Sequence, residues 1–189
     1  MDASIIEAPC STKNTEKQRD LEMHQAKKGN EWHFGMKVHI GVDAGTGYVH
    51  TVEATTASAS DIGVAHKLIR EDDGVVYGDA GYLGIEKRPE IQQDPRKSKI
   101  EYRVNRRPGK IAKMVQSVGK DWERSIENRK SSVRSKVEHP FRTVKVQFGY
   151  AKVRYRGIEK NLNRLLTLFG SANLFMCARA GRTLLGVTG

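Results

Sequence analysis

Glu138 is the sole acid in the stretch "SSVRSKVEHPFRTVKVQFGYAKVRYRG", where seven Lys and Arg surround it. A surface that only held a polyanion would be weakened by that carboxylate. A surface that does chemistry on a polyanion has a use for it, because a carboxylate can carry a divalent cation to a phosphodiester. Two further acids suit the same role. Asp2 opens the apolar run "DASIIEA", and Asp79 ends "VVYGDAGY", where flanking glycines leave room for close approach. Carboxylates at strand ends and on a facing helix can converge on Mg²⁺, which prefers oxygen ligands and keeps water positions open for phosphates. Two such ions about 3.5–4 Å apart can activate a water or hydroxyl and stabilise the leaving oxygen.

Each acid also has a plainer reading. Asp79 suits a turn or helix cap, and Asp2 a disordered chain end. Glu138 has Arg134 and Arg142 four residues away on either side, a surface ion-pair ladder in which each pair contributes about 0.2–0.5 kcal/mol. The spacing favours chemistry. Arg134, Glu138 and Lys145 form R-x3-E-x6-K. On a helix turning about 100° per residue, these offsets keep all three on one face.

The elements that must position these residues follow from patterning. Residues 2–8 suggest a short strand closed by Pro9, and residues 11–30 read as a polar loop or arm. Two β-rich runs flank "DAGTG", whose Gly, Asp and Thr suit a hairpin turn, so Asp43 belongs to that turn. A helix follows, with Ser58 and Ser60 as capping candidates and Asp61 at its start. "DDGVVYGDAGY" and "KIEYRVN" read as strands, so the sheet is mixed. The rest is helical, with breaks expected at Gly119 and Pro140. A final long helix is expected to bury Leu162, Leu165, Leu166, Phe169, Ala172, Asn173 and Met176.

The totals narrow the class. A chain of 189 residues suits one α/β domain. No apolar run approaches the roughly 20 residues of a membrane span, and the N-terminus lacks the pattern of a secretory signal. Cys10 and Cys177 lack metal-ligand spacing and read as free thiols. The net charge of +11 is unevenly placed: residues 1–95 carry 10 Lys+Arg against 16 Asp+Glu, residues 96–189 carry 23 against 6. So basic a C-terminal half points first to nucleic acid as partner, with a basic surface for ribosomes, anionic lipid or no particular partner as the plainer reading.

The spacing around Glu138 resembles the Y-x2-R-x3-E-x6-K signature of DDE transposases of the insertion-sequence type, the IS4/IS5-like group. "DAGY" at 79–82 is similar to the segment carrying that family's second Asp. "DASIIEAPCSTKN" resembles the stretch carrying its first, and "KKGNEWHFGMKVHIGVDAGTGYVH" also resembles the family's text. The resemblance implies a ribonuclease H-like mixed sheet flanked by helices, with residues 1–189 as one catalytic domain. It implies Asp2, Asp79 and Glu138 as catalytic metal ligands for two Mg²⁺ ions, for which Mn²⁺ can substitute. Arg134 and Lys145 would be the DNA-contacting cations of the signature, and Arg142 belongs to the same basic run. The implied partners are transposon ends and target DNA, the implied active form a homo-oligomer, and the implied setting the bacterial cytoplasm at the nucleoid.

Two departures qualify this. Ser131 stands at the signature's Tyr position. The first Asp is residue 2, whereas the family's first strand begins earlier and follows a region that binds transposon ends. The expectation is therefore an N-terminally truncated chain in which Asp2 frays beside an α-amino cation that competes with metal. A catalytically inactive DNA-binding remnant is the alternative. The two readings part on whether the strand bearing Asp2 is paired, close to Asp79. Asp43, Asp61 and His139 also lie in family-like text, without an assigned chemical role.

Overall fold

The computed structural model describes residues 1–13, 17–107, 109 and 118–184. In strand β1 (Asp2–Glu7) alternation sends Asp2, Ser4 and Ile6 to one face, and Ile6 ends in the main core. The polar segment expected as a loop contains strand β2 (His24–Lys28). Most of its side chains are exposed, so it lacks the apolar alternation that marks a strand in sequence. It pairs with an edge offered by β3 (Glu31–Val42), the axis of the sheet. β1 lies antiparallel along the other edge of β3, from Asp2 opposite Ile40 to Glu7 opposite Gly35. β4 (Val49–Thr56) shares the β2 edge, from Met36 opposite Thr56 to Val42 opposite Val49. The β3–β4 connection is the expected turn. Thr46 donates to Asp43 Oδ1 through its amide at 2.7 Å and its hydroxyl at 2.8 Å, and Gly47 has a φ of +79°, which favours glycine.

Helix α1 (Asp61–Leu68) buries Val64, Ala65 and Leu68. Ser60 holds its cap position, but its side chain makes no capping bond. Strand β5 (Val75–Gly78) then pairs in parallel with β6 (Glu101–Val104). Between them lie a 3-10 turn at Ala80–Tyr82 and the short helix α2 (Pro89–Gln92). The architecture is mixed α/β, as expected. Its strands form two sheets rather than one, a four-stranded antiparallel sheet and a two-stranded parallel one. The two meet where the Met1 ammonium donates to Tyr77 O at 2.9 Å.

Helix α3 (Val118–Arg134) runs through Gly119, where a break was expected, and residues 110–117 of that helical stretch lie outside the described residues. A 3-10 turn at Ser135–Val137 leads to α4 (Glu138–Arg142) and a π-helical turn at Thr143–Gln147. Pro140 falls in the first turn of α4, where its missing amide has no intrahelical partner to lose. α5 (Ile158–Leu184) closes the fold. Leu165, Phe169 and Ala172 are buried as expected, while Leu166 is 48% exposed and Leu168 takes the inner place. Buried Asn161 ties the preceding loop to α5. It accepts from the Tyr150 hydroxyl at 2.7 Å and donates to Tyr155 O at 2.7 Å and Gly157 O at 2.6 Å.

Apolar side chains gather in two cores. Ile6, Met36 and Ile40 pack with Val137, Phe141 and Phe169 in the first. Ala65, Ile69, Val76, Tyr82, Ile85 and Ile91 form the second, with Met1 packed against it. Cys10 and Cys177 are exposed free thiols.

Candidate functional site

Asp2 does not fray. It pairs opposite Ile40 from the first residue of β1, because Met1 is anchored by the second core and by Tyr77 O. Burial lowers the proton affinity of that ammonium. Burial also pushes the Asp2 carboxyl above its ordinary range. The Ala3 amide, 2.8 Å from Oδ1, opposes this, and the nearby charge of Asp79 adds to it.

Asp79 follows β5 and caps the 3-10 turn, its Oδ1 accepting from Gly81 N at 2.9 Å. The cap reading of Asp79 is thus correct, and its charge is felt at Asp2. Glu138 opens α4 with a largely exposed side chain. Arg134 bridges it to the first strand: Nη1 lies 3.3 Å from Asp2 Oδ2, and Nη2 lies 3.4 Å from Glu138 Oε1. The fold therefore brings Asp2 and Asp79 into each other's field and leaves Glu138 one guanidinium away. Among the described residues, no three His, Cys, Asp or Glu side chains stand close enough to hold a metal ion. The donor set still fits a hard divalent cation, being carboxylate oxygens, two of them partly buried within each other's field. Beside them the Tyr82 hydroxyl is fully buried and has no hydrogen-bond partner. Burial raises its pKa, as do the charges of Asp61, Asp2 and Asp79.

Lys145 reaches the same strand by a different geometry from the one expected. Residues 134–147 are not one regular helix, since Pro140 restarts the chain and a π turn follows, so the single-face offsets do not apply. The turn lays Lys145 on β1, where Nζ donates to Ser4 Oγ at 2.7 Å and Ile5 O at 2.6 Å. Ser4 shares the face of Asp2, so Lys145 stands along the strand from the acids. Burial, and then Lys28, lower its pKa. Arg142 and His139 are exposed on α4. Ser131, at the signature Tyr position, accepts from Asn105 Nδ2 at 3.1 Å. Lys136 serves the structure: Nζ donates to Ala44 O at 2.6 Å and Gly45 O at 3.1 Å, pinning the hairpin turn beneath the basic helix.

Several residues at or behind the site were not foreseen. Buried Glu127 accepts from Asn105 Nδ2 at 3.0 Å and the Arg106 amide at 2.9 Å through Oε2, and from Lys130 Nζ at 2.9 Å through Oε1. It fastens the end of β6 to the helix that carries Arg134. Its sequence signal is only an i,i+3 Glu–Lys pair. Lys37 and His39 alternate with buried Met36, Val38 and Ile40 in β3, which marks them as facing the other way. Helix α1 covers that face. Asp61, the first residue of α1, meets Lys37 there, with Nζ 2.9 Å from Oδ1. His39 is fully buried; burial lowers its pKa to about 4, so the ring is neutral at pH 7.

Carboxylates from two sheets, flanked by cations, suit a domain that carries divalent metal to a polyanion. The chain matches the transposase DDE domain family over residues 1–174, and it belongs to that family. Transposase function, DNA as substrate and a general use of divalent metal come with this membership. No solved structure matches the chain. Among the described residues, no helix is long and apolar enough to cross a membrane.

Proposed function

We propose that Asp2, Asp79 and Glu138 are the catalytic carboxylates of an insertion-sequence transposase of the IS4/IS5-like group, on a ribonuclease H-like fold. The supporting observation is the convergence of Asp2 and Asp79 from separate sheets, with Glu138 joined to Asp2 through Arg134. Two Mg²⁺ ions, replaceable by Mn²⁺, supply an activated nucleophile and charge stabilisation at the leaving oxygen when bound. Asp2 and Asp79 are pre-positioned by a paired strand and a capped turn, while Glu138 closes from α4. Arg134, Arg142 and Lys145 hold DNA phosphates and fix the register of the scissile bond. Hydrolysis of a phosphodiester at the element's end frees a 3′ hydroxyl. Attack of that hydroxyl on a target phosphodiester makes one bond for each one broken. The working form is a homo-oligomer on transposon ends and target, at the bacterial nucleoid.

One observation favours a second reading, a catalytically inactive DNA-binding remnant. The Arg134 guanidinium sits between Asp2 and Glu138, where it competes with any metal. Nicking of supercoiled plasmid with Mg²⁺ or Mn²⁺ separates the two. The transposase reading expects metal-dependent nicking that Asp79→Ala and Glu138→Ala each abolish. DNA binding without such nicking, unchanged in both variants, would establish the remnant.

A further inference from the structure

Gly81 keeps a space open between two carboxylates. A Cβ there would lie 3.0 Å from Asp79 Oδ1 and 3.7 Å from Asp61 Oδ2. The Asp61 carboxylate is held from behind. Lys37 Nζ stands 2.9 Å from Oδ1 and is itself fixed by donating to Ala59 O at 2.6 Å. His39 Nδ1, on a fully buried ring, faces Oδ1 at 3.9 Å without a hydrogen-bond partner, and Thr55 Oγ1 holds the other ring nitrogen at 2.9 Å. Oδ1 has the Lys37 cation beside it but no hydrogen bond of its own, and Oδ2 is left toward the space at Gly81. The Tyr82 hydroxyl, also fully buried and unpartnered, adjoins the same acids. Buried polar groups without partners mark a place that takes water or an ion.

We propose that Asp61 is a positioning residue of this site: its Oδ2 accepts a hydrogen bond from a water bound to the divalent cation that Asp79 holds. This rests on the reading of Asp79 as a metal carboxylate. Lys37 and His39 are then the support that keeps Asp61 turned to the gap, and Gly81 is required because any side chain would displace the water. Outer partners of this kind typically change metal affinity 10- to 100-fold.

The test is Mn²⁺ titration of the intact chain without DNA, followed by electron paramagnetic resonance, with thermal unfolding measured in parallel. Asp61→Asn is expected to weaken Mn²⁺ binding about tenfold. Gly81→Ala should weaken it similarly while removing no charge, which keeps the test valid if Asp61→Asn does not fold. Lys37→Gln loosens the support of Asp61 but leaves its carboxylate, so it should cost clearly less Mn²⁺ affinity than Asp61→Asn even if stability falls. Wild-type Mn²⁺ affinity in both Asp61→Asn and Gly81→Ala would overturn the proposal. So would an equal loss in Lys37→Gln and Asp61→Asn, which would reduce Asp61 to a structural ion pair. Asp79→Asn separates the two levels. If it loses Mn²⁺ while Asp61→Asn keeps it, only the role of Asp61 fails; if Asp79→Asn also keeps it, the metal reading of Asp79 fails as well.

Discussion

Arg134 spans Asp2 and Glu138, with Nη1 3.3 Å from one carboxylate and Nη2 3.4 Å from the other. The guanidinium thus offsets the charge that a metal would otherwise offset, and the metal must compete with it. Arg134→Gln is expected to tighten Mn²⁺ binding several-fold in the DNA-free protein. The same variant should weaken DNA binding and reduce the slope of log K against log salt by about one. Mn²⁺ titration and fluorescence anisotropy at graded salt check both halves.

Asp2→Asn should stabilise the metal-free protein at neutral pH and sharply slow nicking. Burial and Asp79 raise the folded-state pKa of Asp2, so its charged form costs stability, and that cost is relieved as pH falls through the raised value. The neutral amide removes the cost at every pH. A higher thermal midpoint, with nicking lowered about 10²–10³-fold, is the expected pair of results.

Stability should fall with acid through His39. The unfolded ring takes a proton near pH 6.5 and the folded ring only near pH 4. Its contribution is complete above the unfolded value and is lost as pH falls from 6.5 toward 4, by at most roughly 3 kcal/mol. Urea unfolding between pH 8 and 4.5 should be visibly flatter in His39→Asn than in the wild type.

Asn161→Ala should cost about 2–4 kcal/mol, because it leaves the Tyr150 hydroxyl and two loop carbonyls without their buried partner. Urea melts measure this directly. Nicking per folded molecule should change little, since its hydrogen bonds go to the loop before α5 and not to the acids.

The acids could be singled out because their type and spacing are local properties of the chain. Their arrangement was not, since Arg134 meets Asp2 from 132 residues away. β2 escaped notice because an available edge makes it a strand, while its own side chains are mostly exposed. Leu166 and Leu168 exchanged places because the inner stripe of a 27-residue helix depends on which neighbours it meets, which helical spacing alone leaves open. Lys145 was recognised as part of the signature, but its seat on Ser4 depends on a π turn that no residue type announces. Asp61 was read as a helix start, which it is; its link to Lys37 arises only when α1 folds over β3.

The seam between the two apolar cores runs through the acids. Asp2 and Glu138 are carried by elements of the first core, Asp79 and Asp61 by elements of the second. On the proposed assignment of the acids, a cation shared across that seam would tie the two cores together. Binding that favours the joined state adds to its stability by mass action. On that assignment, the cooperativity of unfolding should rise as Mn²⁺ loads the site.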